Sequence, residues 1–271
     1  MPEGDTIFRT ARALNRAIGG RIVTGLETSL APLARVNDDA PLVGRMVERV
    51  EARGKWCLIF FSGDLILLTH MRMSGSWHIY KTGERWQAPR SAMRIVITCH
   101  DVQAVGFNVP VAEFHTARSL ERSAHVSELG PDVLSPAYRI EEAAGALREY
   151  GQAHPDAEIG NVLLNQHVIA GIGNIYKSEI AFAAQVNPFR RMQTISDQEL
   201  QRIAEIAQRY MQANVAEVSG NGTVTHTGAR RWVYRRQGQE CRRCGAIIEM
   251  RRQGTGARST YWCPSCQSWI A

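Results

Sequence analysis

A chain of 271 residues is long enough for about two domains plus a small module, and its 44% apolar and 21% charged content is ordinary for a globular protein. The formal charge of +6 turns attention to polyanionic partners. No apolar run approaches the roughly 20 residues that span a bilayer. Arg9, Arg12 and Arg16 interrupt the N-terminal apolar pattern as no secretory signal does, so the sequence predicts neither a membrane nor an exported protein but a cytoplasmic, nucleoid-associated one.

At the start, Pro2 follows the initiator Met1. A small second residue favours removal of Met1, which would expose the secondary amine of proline as the α-amino group. Such amines have pKa values of about 7.7–8.0, so an unprotonated, nucleophilic fraction exists near neutrality. Secondary amines form iminium adducts with aldehydes, and Glu3 beside Pro2 is a candidate proton donor. Asp5 can cap a helix whose apolar positions Ile7, Phe8, Ala11, Leu14 and Ile18 follow a 3.6-residue period and end at Gly19-Gly20.

Short strand-like runs then alternate with turns: 21–26, 46–52, 56–61, 65–71, 77–80, 93–99 and 102–107. Ser62-Gly63-Asp64 reads as a hairpin turn, and Arg53-Gly54-Lys55 puts cations beside a buried-looking strand. Strands at this spacing suggest an antiparallel sandwich or barrel-like domain.

Around Glu128-Leu129-Gly130-Pro131-Asp132 the pattern turns helical. An apolar stripe from Ile159 runs into Gly171-Ile172-Gly173-Asn174, after which Ile175, Tyr176, Ile180 and Ala183 resume a helical period. A Gly-rich turn opening a helix can offer backbone N–H groups and a dipole to a phosphate, with the Asn174 amide as a further donor; it can equally be a plain helix–helix turn. Ser196-Asp197-Gln198-Glu199 is a capping box for another helix. The polar stretch 219–228 reads as a mobile loop.

Cys241-x-x-Cys244 and Cys263-x-x-Cys266 close the chain, and two such pairs brought together by a hairpin supply the four thiolates of one structural Zn²⁺ rather than two disulfides. Nine arginines against two glutamates lie between 229 and 271, so the module carries the chain's excess positive charge. With Trp232, Tyr234, Tyr261, Trp262 and Trp269 interleaved, nucleic acid is the expected partner.

Met1-Pro2-Glu3-Gly4-Asp5, Arg53-Gly54-Lys55, His70-Met71-Arg72-Met73-Ser74-Gly75, Gly171-Ile172-Gly173-Asn174-Ile175-Tyr176 and the cysteine ribbon together resemble, in this order, the formamidopyrimidine-DNA glycosylase and endonuclease VIII family. The resemblance implies a multidomain α+β chain. An N-terminal antiparallel β-sandwich with an N-terminal helix (1–125) precedes a helix-two-turn-helix domain (126–228) and a C-terminal β-hairpin zinc ribbon (229–271). It makes Pro2 the nucleophile, Glu3 the general acid at the sugar and Lys55 an aid to base removal. His70 and Asn174 become backbone contacts, Met73 the wedge behind a flipped base, and Arg258 the phosphate-pinning tip of the zinc hairpin. The implied partner is double-stranded DNA with a damaged base or abasic site, bound by a monomer.

The start Pro-Glu-Gly-Asp, Ala104-Val105-Gly106-Phe107-Asn108, and the lack of an Arg-Arg-Phe-Gly stretch look closer to endonuclease VIII, favouring oxidised pyrimidines over oxidised purines such as 8-oxoguanine. Asp5 and Thr6 stand where the family has a glutamate. A non-catalytic damaged-DNA binder and a zinc-ribbon transcription or RNA-binding factor are the competing readings.

Overall fold

The first periodic segment becomes α1 (Gly4–Ile18), which buries Ile7, Ala11, Leu14 and Ile18. Asp5 is not its cap. Ile7 N–H already donates to Glu3 O at 3.0 Å, so helical bonding reaches back to Glu3 at the N-cap position, where no side chain caps the helix. Asp5 lies fully buried in the first turn, 3.3 Å from Arg9 one turn later, where a carboxylate also suits the helix dipole. The computed structural model describes residues 2–216 and 231–268, so the predicted loop 219–228, Arg230 and Trp269 lie outside the described residues.

These residues divide into two units, one running to Ser127 and one from Glu128 that takes in the cysteine-bearing tail. In the first, eight strands make two antiparallel four-stranded sheets. One has the order β1 (Gly25–Thr28), β6 (Met93–Cys99), β7 (Val102–Phe107), β5 (Ser76–Lys81); the other has β2 (Val47–Arg53), β3 (Trp56–Phe61), β4 (Leu65–His70), β8 (Val111–His115). Cys57, Ile59, Phe61 and Leu67 share one buried cluster with Ile95, Ile97 and Ala104 of the other sheet and with α1. This is the expected β-sandwich, its two inner faces alternating along each strand.

The 56–61, 93–99 and 102–107 runs are strands with the predicted ends. The 21–26 run is not one strand, because it changes partner midway. Ile22 bridges Met46 beside β2, whereas Gly25 onward pairs with β6. Ser62, Gly63 (φ 77°) and Asp64 (φ 55°) make the predicted hairpin turn between the paired residues Phe61 and Leu65, the last two in the left-handed region. Among the elements that carried too little pattern to be read from sequence are α2 (Ala31–Asp39), marked only by Pro32 in its first turn, and β8, a short edge strand behind Pro110. The short helices α3 (Ala117–Glu121) and α4 (Ala124–Ser127) end this unit.

The second unit holds α5 (Ile140–Ala153), α6 (Ile159–Val162), α7 (Asn174–Ala183) and α8 (Asp197–Ala216) around a core that includes Leu147, Val162, Ile172, Tyr176, Ile180 and Ile203. Two successive turns link α6 to α7, giving the helix-two-turn-helix arrangement. The Gln166 side chain ties that link together, accepting from Gly171 N and donating to Leu164 O and Ile172 O. The predicted capping box is present, with Ser196 Oγ accepting Glu199 N and the Glu199 carboxylate accepting Ser196 N. The tail forms a hairpin of β9 (Glu249–Gln253) and β10 (Arg258–Trp262) that packs on α7.

Candidate active site and nucleic-acid interface

Pro2 is half-buried and Glu3 fully buried, at the mouth of α1. A carboxylate is costly to bury, so Glu3 is held there by structure rather than by its own solubility.

Lys55 sits at the tip of the β2–β3 hairpin, where Arg53 pairs with Trp56 and Gly54 takes the left-handed φ of 56° that the tight turn requires. Trp56 in turn pairs with His70 on β4, so register alone brings Lys55 and His70 to one end of the sheet. The His70 ring packs edge-on against Trp56 at 4.7 Å, and His125 lies against the same indole at 4.6 Å. Burial, with Lys55, Arg72 and His125 nearby, pushes the His70 pKa down to about 4. Its Nδ1 accepts Arg72 N–H at 3.0 Å, which makes Nε2 the donor nitrogen of the neutral ring.

The chain then folds into a tight turn, Gly75 N donating to Met71 O at 2.8 Å; a Cβ at Gly75 would stand 2.7 Å from that oxygen. Met73, on this turn, is 62% exposed, unusual for so apolar a side chain. Lys55, His70 and Met73 therefore gather at one corner of the sandwich.

In the second unit the structure joins two residues far apart in sequence. Gly171 (φ 98°) and Gly173 lead into α7, whose first residue, Asn174, is buried and donates from Nδ2 to Ser259 O at 2.9 Å. Its Oδ1 is buried with no hydrogen-bond partner among the described residues. The Asn174 amide thus touches the strand that begins at Arg258, and the two expected phosphate contacts belong to one built surface.

Sequence reasoning missed what fastens them. Ser178 Oγ accepts Tyr261 N, and the Glu179 carboxylate accepts the N–H groups of Trp232, Val233 and Tyr234. Lys177, fully buried, donates to Thr260 Oγ1 at 2.5 Å. A signal was present: Lys177 and Glu179 interrupt a helix otherwise composed of apolar and small residues.

The four cysteine Sγ atoms lie within 4.8 Å of one another. Cys241 to Cys266 is 3.9 Å and Cys244 to Cys263 is 3.5 Å. Zn–S bonds of about 2.3 Å place tetrahedral sulfurs about 3.8 Å apart, whereas a disulfide needs about 2.05 Å. The set therefore suits one structural zinc. Many arginines of this module serve the ribbon itself. Arg236 donates to Trp232 O and Glu240 O, Arg242 to Arg231 O and Arg252 to Ala257 O, while Arg243 and Arg251 cover the faces of Phe182 and Phe189. Net charge alone overstates how many cations the ribbon presents to a partner.

Three family models match in succession: "Formamidopyrimidine-DNA glycosylase N-terminal domain" over residues 1–111, "Formamidopyrimidine-DNA glycosylase H2TH domain" over 129–226 and "Zinc finger found in FPG and IleRS" over 238–268. The chain is 36% identical over 271 residues to a Streptomyces coelicolor protein described as "Probable endonuclease 8 2", covering 99% of this chain and 94% of that one. It is also 36% identical over 269 residues to a Mycolicibacterium smegmatis "DNA-(apurinic or apyrimidinic site) lyase Nei2", covering 99% of both. In fold it is similar to Lactococcus lactis Fpg in complex with abasic-site DNA, with a TM-score of 0.83 at 21% identity over 99% of this chain and 100% of that one.

Proposed function

This chain belongs to the formamidopyrimidine-DNA glycosylase and endonuclease VIII family, and we propose that it is a bifunctional DNA glycosylase and abasic-site lyase of base excision repair acting on oxidised pyrimidines. The observation that carries this reading is the fully buried Glu3 carboxylate directly after Pro2 at the start of α1. Paired with an N-terminal secondary amine, it is a proton donor held beside a nucleophile.

Removal of Met1 frees that amine. Its lone pair attacks C1′ of the flipped nucleotide, the bond to the base breaks, and the base leaves with the proton that the attacking amine gives up. Glu3 protonates the ring oxygen as the sugar opens to the iminium. That iminium acidifies the C2′ proton, whose loss expels the 3′ phosphate; a second elimination expels the 5′ phosphate, and water then releases Pro2. Lys55 assists base departure.

A base within a duplex is out of reach of such an amine, so the nucleotide must be flipped and the DNA held open. Arg258 and Asn174 grip phosphates, His70 donates from Nε2 to the backbone, and Met73 fills the space the base has left. The zinc held by Cys241, Cys244, Cys263 and Cys266 supplies folding energy to the ribbon and takes no part in the reaction. The working unit is a monomer on double-stranded DNA, divided at 1–125, 126–228 and 229–271. The Pro-Glu-Gly-Asp start and the endonuclease 8 names of the relatives support pyrimidine lesions.

Borohydride reduction during turnover of an abasic-site or thymine-glycol duplex tests the scheme. Protein verified by mass spectrometry to lack Met1 is expected to give a covalent adduct that peptide mapping places on the Pro2 nitrogen. Abasic-site binding that survives Pro2→Gly, with no adduct from the parent protein, would show a damage binder instead.

A further inference from the structure

Lys177 is the anomaly of the second unit. It is 0% exposed, on a helix whose neighbours are mostly apolar. Its Nζ donates to Thr260 Oγ1 at 2.5 Å, Thr260 Oγ1 donates to Gln253 Oε1 at 2.8 Å, and Gln253 Nε2 donates to Glu158 Oε2 at 2.8 Å. Gln253 Nε2 also donates to Pro188 O at 2.8 Å, so both neighbours of this nitrogen are acceptors and the amide has one sensible orientation. Every bond in the chain therefore points the same way, from a lysine amine through a hydroxyl and an amide to a carboxylate. Donors aligned like this polarise and strengthen one another in a buried setting.

The chain passes through the hairpin at a telling place. Gln253 is the cross-strand partner of Arg258, and Thr260 follows Arg258 by two residues, so all three share one face of the ribbon hairpin. The hairpin also sits close against α6. A Cβ at Gly160 would meet Gln253 Oε1 at 2.5 Å and Pro188 O at 2.8 Å; one at Gly254, beside the turn, would meet Asn161 Oδ1 at 2.5 Å. Gly160 leaves only the room that Gln253 needs, and Gly254, within the hairpin turn, leaves room for Asn161.

We propose that Lys177 is a positioning residue: it locks the register and tilt of the β9–β10 hairpin through Thr260 and Gln253, and so sets where the Arg258 guanidinium meets a lesion-side phosphate. The role rests on the proposed DNA-binding function. Being fully buried, Lys177 acts through the hairpin and not by touching DNA.

The test uses the full-length, zinc-loaded protein and an abasic-site duplex. Thr260→Val removes the hydroxyl link while keeping shape and net charge, and Thr260→Ser keeps the link. The Val variant should bind about tenfold more weakly, with the slope of log affinity against log salt lowered by about one, as expected for one lost phosphate contact. The Ser variant should behave as wild type. Lys177→Met should match the Val variant, and adding Arg258→Ala to either should cost nothing further, since both act through one contact. Zinc content should stay at one per chain throughout.

An unchanged salt slope in Thr260→Val, equal behaviour of the Val and Ser variants, or additive losses with Arg258→Ala would overturn the positioning role. If instead the wild type neither binds the abasic duplex nor is trapped on it, the function itself fails, and the two failures are told apart by that control.

Discussion

Glu179→Ala should release the entry strand of the zinc ribbon from α7. The carboxylate accepts three backbone N–H groups, from Trp232 at 2.8 Å, Val233 at 3.0 Å and Tyr234 at 2.8 Å. Val233 is fully buried, so its orphaned N–H bears the full cost of about 2–3 kcal/mol. Trp232 and Tyr234 are half-buried and water can replace part of what they lose, adding about 0.5–1 kcal/mol each. The sum, about 3–5 kcal/mol, corresponds to roughly two to nearly four orders of magnitude in the local opening equilibrium. Native-state amide exchange at 232–234 reads it directly. Glu179→Gln is the internal control. Oε1 accepts from both Val233 and Tyr234, so the amide can keep those two bonds and lose only the one to Trp232. Its exchange should quicken by only about two- to fivefold. Acceleration of less than tenfold in the Ala variant, or equal effects of Ala and Gln, would refute the view that this carboxylate fastens the strand.

Other consequences can be checked separately. Arg258→Ala should weaken lesion-DNA binding and lower the salt slope by about one unit, measured by titration at several salt concentrations. Chelation of zinc should strip amide protection from 231–268 while leaving β3, β4, β6 and β7 protected, because the metal supplies the folding energy of the ribbon alone. The His70 pKa is pushed down to about 4, so the unfolded chain binds the extra proton first as pH falls. This residue's contribution to stability is therefore complete above about pH 6.5 and is lost as pH falls through the window down to about 4, which a comparison with His70→Gln in denaturant melts would detect. Burial pushes the Cys57 thiol up to about 12, so Cys57 should resist iodoacetamide in the native protein and react only after unfolding.

Legibility followed the strength of local pattern. Strands β3, β6 and β7 were readable to the residue because β3 is a continuous apolar run, β6 and β7 are mostly apolar, and all three are bounded by turns. The capping box at Ser196 and the cysteine pairs were equally plain, each being a short-range rule. Asp5 misled because its type suits a cap while the helix is capped two residues earlier, at Glu3, which leaves Asp5 buried beside Arg9 in the first turn. The run from 21 to 26 misled because a change of sheet leaves no mark on hydrophobicity. At the site, the corner of Lys55, His70 and Met73 follows from strand register, which no local window contains. The network from Lys177 to Glu158 spans 83 residues between Lys177 and Thr260 and 95 between Glu158 and Gln253, and so was invisible until the chain was folded.

The way α7 is enclosed bears on modularity. A zinc ribbon is usually thought of as a cartridge, closed on its own metal and free to be exchanged. Here Asn174, Lys177, Ser178 and Glu179, within six successive residues of one helix, each hold a different point on the ribbon from Trp232 to Tyr261. A ribbon transplanted from a relative would fold around its zinc and still sit askew unless α7 travelled with it. The heritable unit is thus the helix together with the ribbon, and a chimera joined between residue 183 and residue 231 cuts through it.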